Sequence, residues 1–166
     1  MNYLKLTHTL SYLKSLQSLS KCKKGQVAAI LVSSDLSQIY SIGINGGPKG
    51  QDDCICDSDL SKFGCVHAEQ NCLVKNTNKY DAKIMICTMA PCVTCAALIV
   101  NANCNITEFM YGDDYKDSRG IEILQKAGIK CTKVLSIANT LWSSISQNHH
   151  WSRAASNVYV IYVTHA

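Results

Sequence analysis

The sequence predicts an α/β protein in which helices cover a sheet, and three observations support this fold class. Short apolar runs rich in β-branched residues alternate with amphipathic segments along most of the 166 residues. Apolar side chains make up 47% of the chain, which is enough for one sizeable core. From Val27 onward the order is β-β-α-β-α-β-α-β, which favours a hairpin followed by parallel strands joined through helices.

The first elements are a helix and a hairpin. Residues 3–20 have leucines at steps of three and four, which predicts one apolar helix face formed by Leu6, Leu10, Leu13, Leu16 and Leu19. The run QVAAILVSS predicts a buried strand, and SQIYSIGI predicts its hairpin partner after a turn at residues 33–37. The next stretch, NGGPKGQDD, has the composition of a loop.

Helices and strands alternate in the rest of the domain. VHAEQNCLVKNT and PCVTCAALIVNA predict helices, the second with Pro91 in its first turn, and KIMICT predicts the strand between them. A further helix, SRGIEILQKAG, is flanked by the strands ITEFMYG and IKCTKVL and ends at Gly128.

The composition changes after this point. Residues 136–166 are polar with isolated tryptophans, followed by one strand-like run, NVYVIYV. We therefore place the domain at residues 1–135 and treat 136–166 as a C-terminal tail to which the sequence assigns no role.

The overall charge and the cysteine content limit the functional classes. A net charge of +4 is mild, and it fits an anionic small molecule as well as it fits weak nucleic-acid contact, so it decides neither. The chain has no apolar run of about 18 residues, which argues against a membrane span, and no secretory signal pattern. Ten cysteines without a secretory signal predict metal binding, catalysis or core packing in a reducing, cytoplasmic compartment.

Three residues form a candidate catalytic metal site. His67 begins one predicted helix, and Cys92 and Cys95 are three apart on another, so that their sulfurs lie on one side. Zinc favours thiolate and imidazole ligands, and a catalytic zinc keeps its fourth position for water. The positive ends of both helix dipoles would favour thiolate ligands.

Glu69 is the candidate acid–base residue of this site. It lies two positions after His67 on the same helical turn, where it can hold a metal-activated water and transfer its proton. A C-x-x-C pair alone would equally suit a redox site, half a zinc ribbon or two core cysteines. The joint pattern H-x-E followed by P-C-x-x-C is instead the signature of zinc nucleobase deaminases, in which the glutamate is not a ligand.

At these residues the chain resembles the cytidine deaminase superfamily and, within it, the deoxycytidylate (dCMP) deaminases. The resemblance covers residues 20–135 and rests on KCKKGQVAAILV, GINGGPKG, CVHAEQNCLVK and MAPCVTCAALIVNA, with a weaker likeness in YGDDYKDSRGIEILQKAGI. It implies a three-layer α/β/α fold around a five-stranded mixed sheet with strand order 2-1-3-4-5.

The resemblance also implies a reaction, the hydrolytic deamination of dCMP to dUMP for thymidylate synthesis. Zinc-activated water would attack C4 of cytosine, and Glu69 would protonate N3 and assist the departure of ammonia. By the same resemblance, substrate contacts would come from the Asn45 side chain, the Ala68 N–H, the Ala90 carbonyl, Tyr115 and Lys116.

A glycine-rich loop is the candidate effector or phosphate site. Many relatives are hexamers regulated by dCTP and dTTP through such a loop, so the resemblance implies a homo-oligomer, and the residues concerned here are Gly46, Gly47, Lys49, Gly50 and Arg119. The loop has GING where relatives usually have an aromatic residue before the asparagine, and MAPC replaces their usual Ser or Glu before proline. Turnover of dCTP or deoxycytidine therefore stays open.

A second, structural zinc is expected at four other cysteines. CICDSDLSKFGC is a polar segment with little apolar content to fix its shape, and a closed zinc site would supply folding energy. Phage dCMP deaminases, which this chain resembles, have a second zinc with cysteines before the first strand and after the glycine-rich loop. The resulting ligand set is Cys22, Cys54, Cys56 and Cys65.

Other functions remain open on the sequence alone. The chain could deaminate adenosine in tRNA, free cytosine or guanine, although its positive charge is diluted by DSD, DDY and QDD, which disfavours a nucleic-acid partner. A zinc-stabilised binding module without catalysis would be expected to lack Glu69. A compact dCMP deaminase would also suit a virus acting in the host cytoplasm.

Overall fold

The structure is a computed structural model and describes residues 2–51, 54–56 and 64–134. The order of the helices and strands predicted up to residue 134 is confirmed. The tail at 136–166, its strand-like run and the domain boundary at 135 lie outside the described residues. The elements in chain order are α1 (Tyr3–Gln17), β1 (Ala28–Ser33), β2 (Ile39–Ile44), α2 (Ala68–Lys75), β3 (Lys83–Met89), α3 (Val93–Asn101), β4 (Ile106–Asp113), α4 (Arg119–Lys126) and β5 (Lys130–Lys133).

The five strands form one mixed sheet with the order β2-β1-β3-β4-β5, as predicted. β1 and β2 form the expected hairpin, whose turn is closed by Asp35 accepting hydrogen bonds from the Ser33 and Ser37 hydroxyls. β3 and β4 are parallel, as are β4 and β5. β1 and β3 are antiparallel, so the parallel pairing predicted after the hairpin begins only at β3.

The sheet is buried on both faces, which explains why β1 is an apolar run rather than an alternating one. Ala28, Ile30 and Val32 lie in a core beneath α1. Ala29 and Leu31 point to the opposite face, in a core shared with α2, α3 and α4. This places the three later helices together on one side of the sheet and gives the predicted three layers.

Helix α1 begins at an asparagine cap and packs through its leucine face. Asn2 Oδ1 accepts from the Lys5 N–H, and Leu6, Leu13 and Leu16 are buried. The prediction for Leu19 was wrong, because the helix ends at Gln17 and Leu19 is 65% exposed. A residue beyond the helix end does not continue the helix face.

Two glycines allow the helix ends on the other face to approach their neighbours closely. A Cβ on Gly43 in β2 would lie 1.9 Å from the Ala68 carbonyl oxygen at the start of α2. A Cβ on Gly120 in α4 would lie 2.0 Å from the Pro91 carbonyl oxygen, just before α3. Neither position has room for a side chain, so these contacts fix where α2 and α3 begin.

The start of α3 differs from the sequence prediction by two residues. The helix begins at Val93 with Cys92 as its N-cap, so Pro91 precedes the helix instead of occupying its first turn. No helix among the described residues is long and apolar enough to cross a membrane.

Candidate active site

The three predicted metal ligands meet at one point. His67 Nδ1 lies 3.5 Å from Cys92 Sγ and 3.3 Å from Cys95 Sγ. One ligand atom from each residue lies within 4.8 Å of the others. Two sulfurs and one ring nitrogen are a donor set that suits zinc, and three protein ligands leave a fourth position open. The chemistry of these donors therefore fits a catalytic zinc.

Both ligand-bearing segments are helix N-termini. His67 is the N-cap of α2, where the Gln70 side chain accepts a hydrogen bond of 2.9 Å from the His67 N–H. Cys92 is the N-cap of α3, and the Cys95 N–H donates to Cys92 Sγ at 3.4 Å. From the sequence, both cysteines were expected within the helix, whereas Cys92 precedes it as the N-cap. The cap position of Cys92 instead directs a backbone N–H onto its sulfur, which favours the thiolate.

The electrostatics of the cluster favour one thiolate beside a charged imidazole. Hydrogen bonds from Cys95 and His67 lower the pKa of Cys92 to about 4. The hydrogen bond with Cys92, followed by burial, raises the pKa of Cys95. The Cys92 sulfur also raises the pKa of His67. A metal cation bound at this point would replace the protons on these side chains, as expected for a metal site.

Glu69 is buried beside this cluster and outside its ligand set. Only 4% of the residue is exposed, and burial raises the pKa of its carboxyl group. A hydrogen bond with Cys95 and the charge of His67 act in the opposite direction and lower the pKa of this carboxyl group, but burial has the larger effect. A buried carboxyl group with a raised pKa, close to three metal-binding side chains, is suited to accepting and returning a proton.

A cleft of about 470 Å³ opens onto these residues. The three side chains His67, Glu69 and Cys92 line it together with all five residues predicted to contact a substrate, Asn45, Ala68, Ala90, Tyr115 and Lys116. A second cleft, of about 340 Å³, lies beside α1 and the ends of β3 to β5 and contains neither His67 nor Glu69. The first cleft is therefore the candidate substrate site.

The helix start and the strand end supply backbone groups to the cleft. Ala68 is the first residue of α2, so its N–H has no partner within the helix. Ala90 follows β3, and its N–H donates to the Asp113 carbonyl oxygen at 2.8 Å. Tyr115 is half-buried, and Lys116 Nζ lies 6.0 Å from the centre of its ring.

The Asn45 side chain is already engaged within the chain. Its Oδ1 accepts from the Ser20 hydroxyl at 2.7 Å and from the Val27 N–H at 2.8 Å. Its Nδ2 donates to the Gly25 carbonyl oxygen at 2.7 Å. Asn45 therefore fixes residues 20–27 against the end of β2, which the sequence reasoning did not foresee, while still lining the cleft.

The predicted effector residues lie apart from this cleft. Gly46 forms an isolated β-bridge with Val66, immediately before His67. Gly50 has a φ of 89°, which favours glycine. The Arg119 guanidinium group donates to Asp117 Oδ1 through Nε and to Asp117 Oδ2 through Nη2. None of the residues Gly46, Gly47, Lys49, Gly50 and Arg119 is among those that line the cleft.

The four other predicted zinc ligands also come together. Cys22 Sγ lies 3.7 Å from Cys56 Sγ, and Cys65 Sγ lies 3.5 Å from Cys54 Sγ and 3.4 Å from Cys56 Sγ. All four sulfurs lie within 4.8 Å of one another, and all four thiols are free. Sulfurs bound tetrahedrally at the usual zinc distance are about 3.8 Å apart. We call these residues the four-cysteine cluster.

One thiol of the four-cysteine cluster is readily ionised, and two others resist ionisation. The Lys23 N–H, donating at 3.4 Å, lowers the pKa of Cys54 to about 6. Burial raises the pKa of both Cys56 and Cys65. Four thiols packed together, most of them buried, fit a zinc ion that would replace their protons.

The sequence reasoning missed several residues of the cleft. Lys24, Gly25 and Val27 enter it from the segment before β1, and Asp114 enters it after β4. Their positions depend on contacts between distant segments, which local spacing does not indicate. Only the proximity of Lys24 to Cys22 and of Asp114 to Tyr115 could have suggested them.

Comparison with known families places the site in context. Residues 3–112 match the family described as the cytidine and deoxycytidylate deaminase zinc-binding region. The chain is 28% identical over 151 residues to the deoxycytidylate deaminase of Schizosaccharomyces pombe, covering 80% of this chain and 46% of the relative. It is 37% identical over 109 residues to the human deoxycytidylate deaminase, covering 60% of each. The chain thus spans about half to three-fifths of the length of these curated relatives.

Solved structures with the same architecture include a phage enzyme of similar size. The dCMP deaminase of cyanophage S-TIM5, in complex with dCMP and dUMP, has a TM-score of 0.69 and 28% sequence identity. That match covers 80% of this chain and 98% of the phage chain. The Rib2 deaminase of Aspergillus oryzae, at 21% identity and a TM-score of 0.55, shares the fold.

Proposed function

The chain belongs to the cytidine and deoxycytidylate deaminase family, and from this premise we propose that it hydrolyses dCMP to dUMP and ammonia. The observation that carries this proposal is the arrangement of the cleft. A buried glutamate lies there beside a three-ligand site of the type used for catalytic zinc. The product would supply thymidylate synthesis.

We propose that His67, Cys92 and Cys95 hold the zinc of this family. Bound zinc supplies an activated water as the nucleophile at neutral pH. Glu69 would take a proton from that water and deliver it to N3 of the pyrimidine. It would then take the remaining proton of the added hydroxyl group and deliver it to the departing amino group. Its raised pKa suits both directions of transfer, because a group that holds its proton too weakly cannot return it.

The backbone groups in the cleft suit the pyrimidine edge. The Ala68 N–H, directed from the start of α2, is available for the base carbonyl oxygen. The carbonyl of Ala90 is the corresponding acceptor for the amino group. Tyr115 and Lys116 border the same space from the loop after β4 and would close the nucleotide site. Asn45 would bond the sugar hydroxyl through the one N–H that its own contacts leave over.

The four-cysteine cluster is proposed as a second, structural zinc site. Support comes from sulfur separations of 3.4 to 3.7 Å, close to the tetrahedral spacing. These cysteines lie on segments without regular secondary structure, where a metal can replace a missing apolar core.

We expect the monophosphate dCMP to be the preferred substrate, with dCTP and deoxycytidine as further candidates. The phage relative that carries dCMP and dUMP is matched over nearly its full length, which supports this order. We also propose regulation by dCTP or dTTP through the loop that contains Gly46, Gly47, Lys49 and Gly50. A hexameric assembly and a cytoplasmic location are further parts of the proposal. A reducing compartment would suit ten free cysteines.

Ammonia release from a panel of substrates tests the proposal. Purified protein, prepared without chelators, is incubated with dCMP, dCTP, deoxycytidine, free cytosine and a tRNA containing the target adenosine. We expect dCMP to give the highest kcat/KM. Faster turnover of free cytosine or tRNA adenosine would assign the chain to another deaminase class, and no turnover by zinc-loaded protein would favour a binding module.

A further inference from the structure

Two lysines at the candidate cleft form no ion pair with a described acidic residue, although the charge of Lys116 contributes to lowering the pKa of the adjacent Asp117. Lys24 reaches the cleft from the segment before β1, and Lys116 from the loop after β4, so they approach it from two different parts of the fold. Both residues are exposed. The ion pairs among the described residues involve other cations, namely Lys5, Arg119, Lys130 and Lys133.

The described acidic residues of the cleft do not cancel these two charges. Asp114, which lines the cleft, is ion-paired with Lys133. Glu69 is buried beside the candidate zinc ligands, with only 4% of the residue exposed, so it is not part of the exposed rim. Among the described residues, Lys24 and Lys116 therefore place positive charge at the exposed rim of the cleft, while its buried part contains the groups that suit a neutral pyrimidine.

The segment carrying Lys24 is fixed on both sides of the lysine. Before it, the Cys22 N–H donates to the Ser20 hydroxyl at 3.2 Å, and the Cys22 sulfur belongs to the four-cysteine cluster. After it, the Gly25 carbonyl oxygen accepts from Asn45 Nδ2 at 2.7 Å. These contacts hold the backbone of Lys24 at the cleft wall although the residue lies in neither a helix nor a strand.

We infer that Lys24, together with Lys116, binds the 5′-phosphate of the substrate and so determines the preference for a nucleotide over a nucleoside. This rests on the proposed function. A nucleotide phosphate carries about −1.5 to −2 charges at neutral pH, so burying it would be costly. At the exposed rim it keeps part of its hydration and gains two charge-assisted hydrogen-bond donors, while the uncharged base enters the buried part.

The phosphate candidates taken from the sequence fit this role less well. Lys49 lies outside the residues that line the cleft. Arg119 is also outside it, and Asp117 occupies its guanidinium group through hydrogen bonds of 2.6 to 3.0 Å. Of the three lysine and arginine positions that the sequence suggested, Lys116 alone is retained, and Lys24 is added.

The test compares a nucleotide with its nucleoside in a Lys24→Gln variant. We expect kcat/KM for dCMP to fall about tenfold, mainly through a higher KM, because one charge-assisted contact is lost at an exposed site. Deoxycytidine turnover should stay unchanged. In calorimetry, the Kd for the product dUMP should rise about tenfold while the zinc content stays at the wild-type level.

Two further variants serve as controls. Lys21→Gln removes the same charge three residues earlier and outside the cleft lining, so it should leave both substrates unaffected. Lys24→Arg keeps the charge and should retain most of the preference for dCMP. An unchanged kcat/KM for dCMP, or an equal loss for dCMP and deoxycytidine, would overturn the role of Lys24 while leaving the deaminase assignment intact. Wild-type protein that turns over neither compound would instead remove the proposed function itself.

Discussion

The two cysteine-containing clusters of this molecule differ in what holds them in place. His67, Cys92 and Cys95 lie at the N-termini of α2 and α3, which pack against one sheet. The four-cysteine cluster joins residues 22, 54, 56 and 65, none of which is in a helix or a strand of the described chain. The first cluster is arranged by the core. The second lies on irregular segments, which hydrogen bonds involving Ser20 and Asn45 and the Gly46–Val66 bridge fix near Cys22 and Cys65.

This difference assigns them different roles. A site that is fixed by the core can keep an open coordination position, because its geometry does not depend on the metal. A site on irregular segments contributes folding energy when a metal closes it. Within residues 2–51, 54–56 and 64–134, only the first cluster has a buried carboxyl group beside its ligands. The following predictions test this division.

The largest effect is expected for Glu69→Gln. If Glu69 transfers protons without binding the metal, turnover should fall by about 10²–10⁴-fold while zinc content stays unchanged. Steady-state kinetics and metal analysis on the same preparation measure both. Glu122→Gln, at an exposed glutamate in α4, is the matched control and should keep activity and metal. Near-wild-type turnover by Glu69→Gln would remove the proposed mechanism.

The next effect is expected for Cys54→Ser combined with Cys56→Ser. Zinc should fall from about two ions per chain to about one, and Tm should drop because a four-thiolate site contributes to folding. Metal analysis and thermal unfolding measure the change. Cys131→Ser, at a half-buried thiol outside both clusters, should leave the zinc content unchanged. One zinc per chain in fully active wild-type protein would rule out the second site.

A smaller effect, on stability, is expected for Gly43→Ala. The added methyl group would overlap the Ala68 carbonyl oxygen, so the free energy of unfolding should fall by about 1–3 kcal/mol as α2 is displaced. Gly46→Ala is the control for stability, since a Cβ there would meet nothing within 4 Å. Denaturant unfolding compares the two. Equal stability of both variants would show that the close contact at Gly43 does not position α2.

The smallest effect on metal binding is expected for truncation after Leu135. Neither proposed cluster uses a residue beyond Cys95, so both zinc ions should remain. The state of assembly is a separate readout, which sedimentation or light scattering would follow. Loss of zinc from soluble truncated protein would show that the domain boundary predicted at residue 135 is wrong.

The sequence predicted most of the fold because its signals are local. Strand and helix order follow from apolar periodicity. The end of α4 was predicted at Gly128, whereas the helix ends at Lys126 with Ala127 as its C-cap, and Gly128 follows with a φ of 81°, which favours glycine. Two further predictions of helix ends were wrong. The apolar periodicity continues to Leu19, although α1 ends at Gln17, and Pro91 was expected in the first turn of α3, although that helix begins after its N-cap at Cys92. Both concern element ends, which depend on competing hydrogen bonds rather than on periodicity.

By itself, the sequence determined which residue types form the candidate metal site of this protein. The pattern around His67 and Glu69, with Cys92 and Cys95 on the next helix, specifies donor types at short spacings that few other sites need. Only the tertiary structure decided which distant residues share the cleft. It brought Lys24 to its rim, engaged Asn45 within the chain and paired Asp114 with Lys133. These contacts depend on how separate segments pack on the sheet. The periodicity of apolar residues along the chain does not predict the distances between such segments.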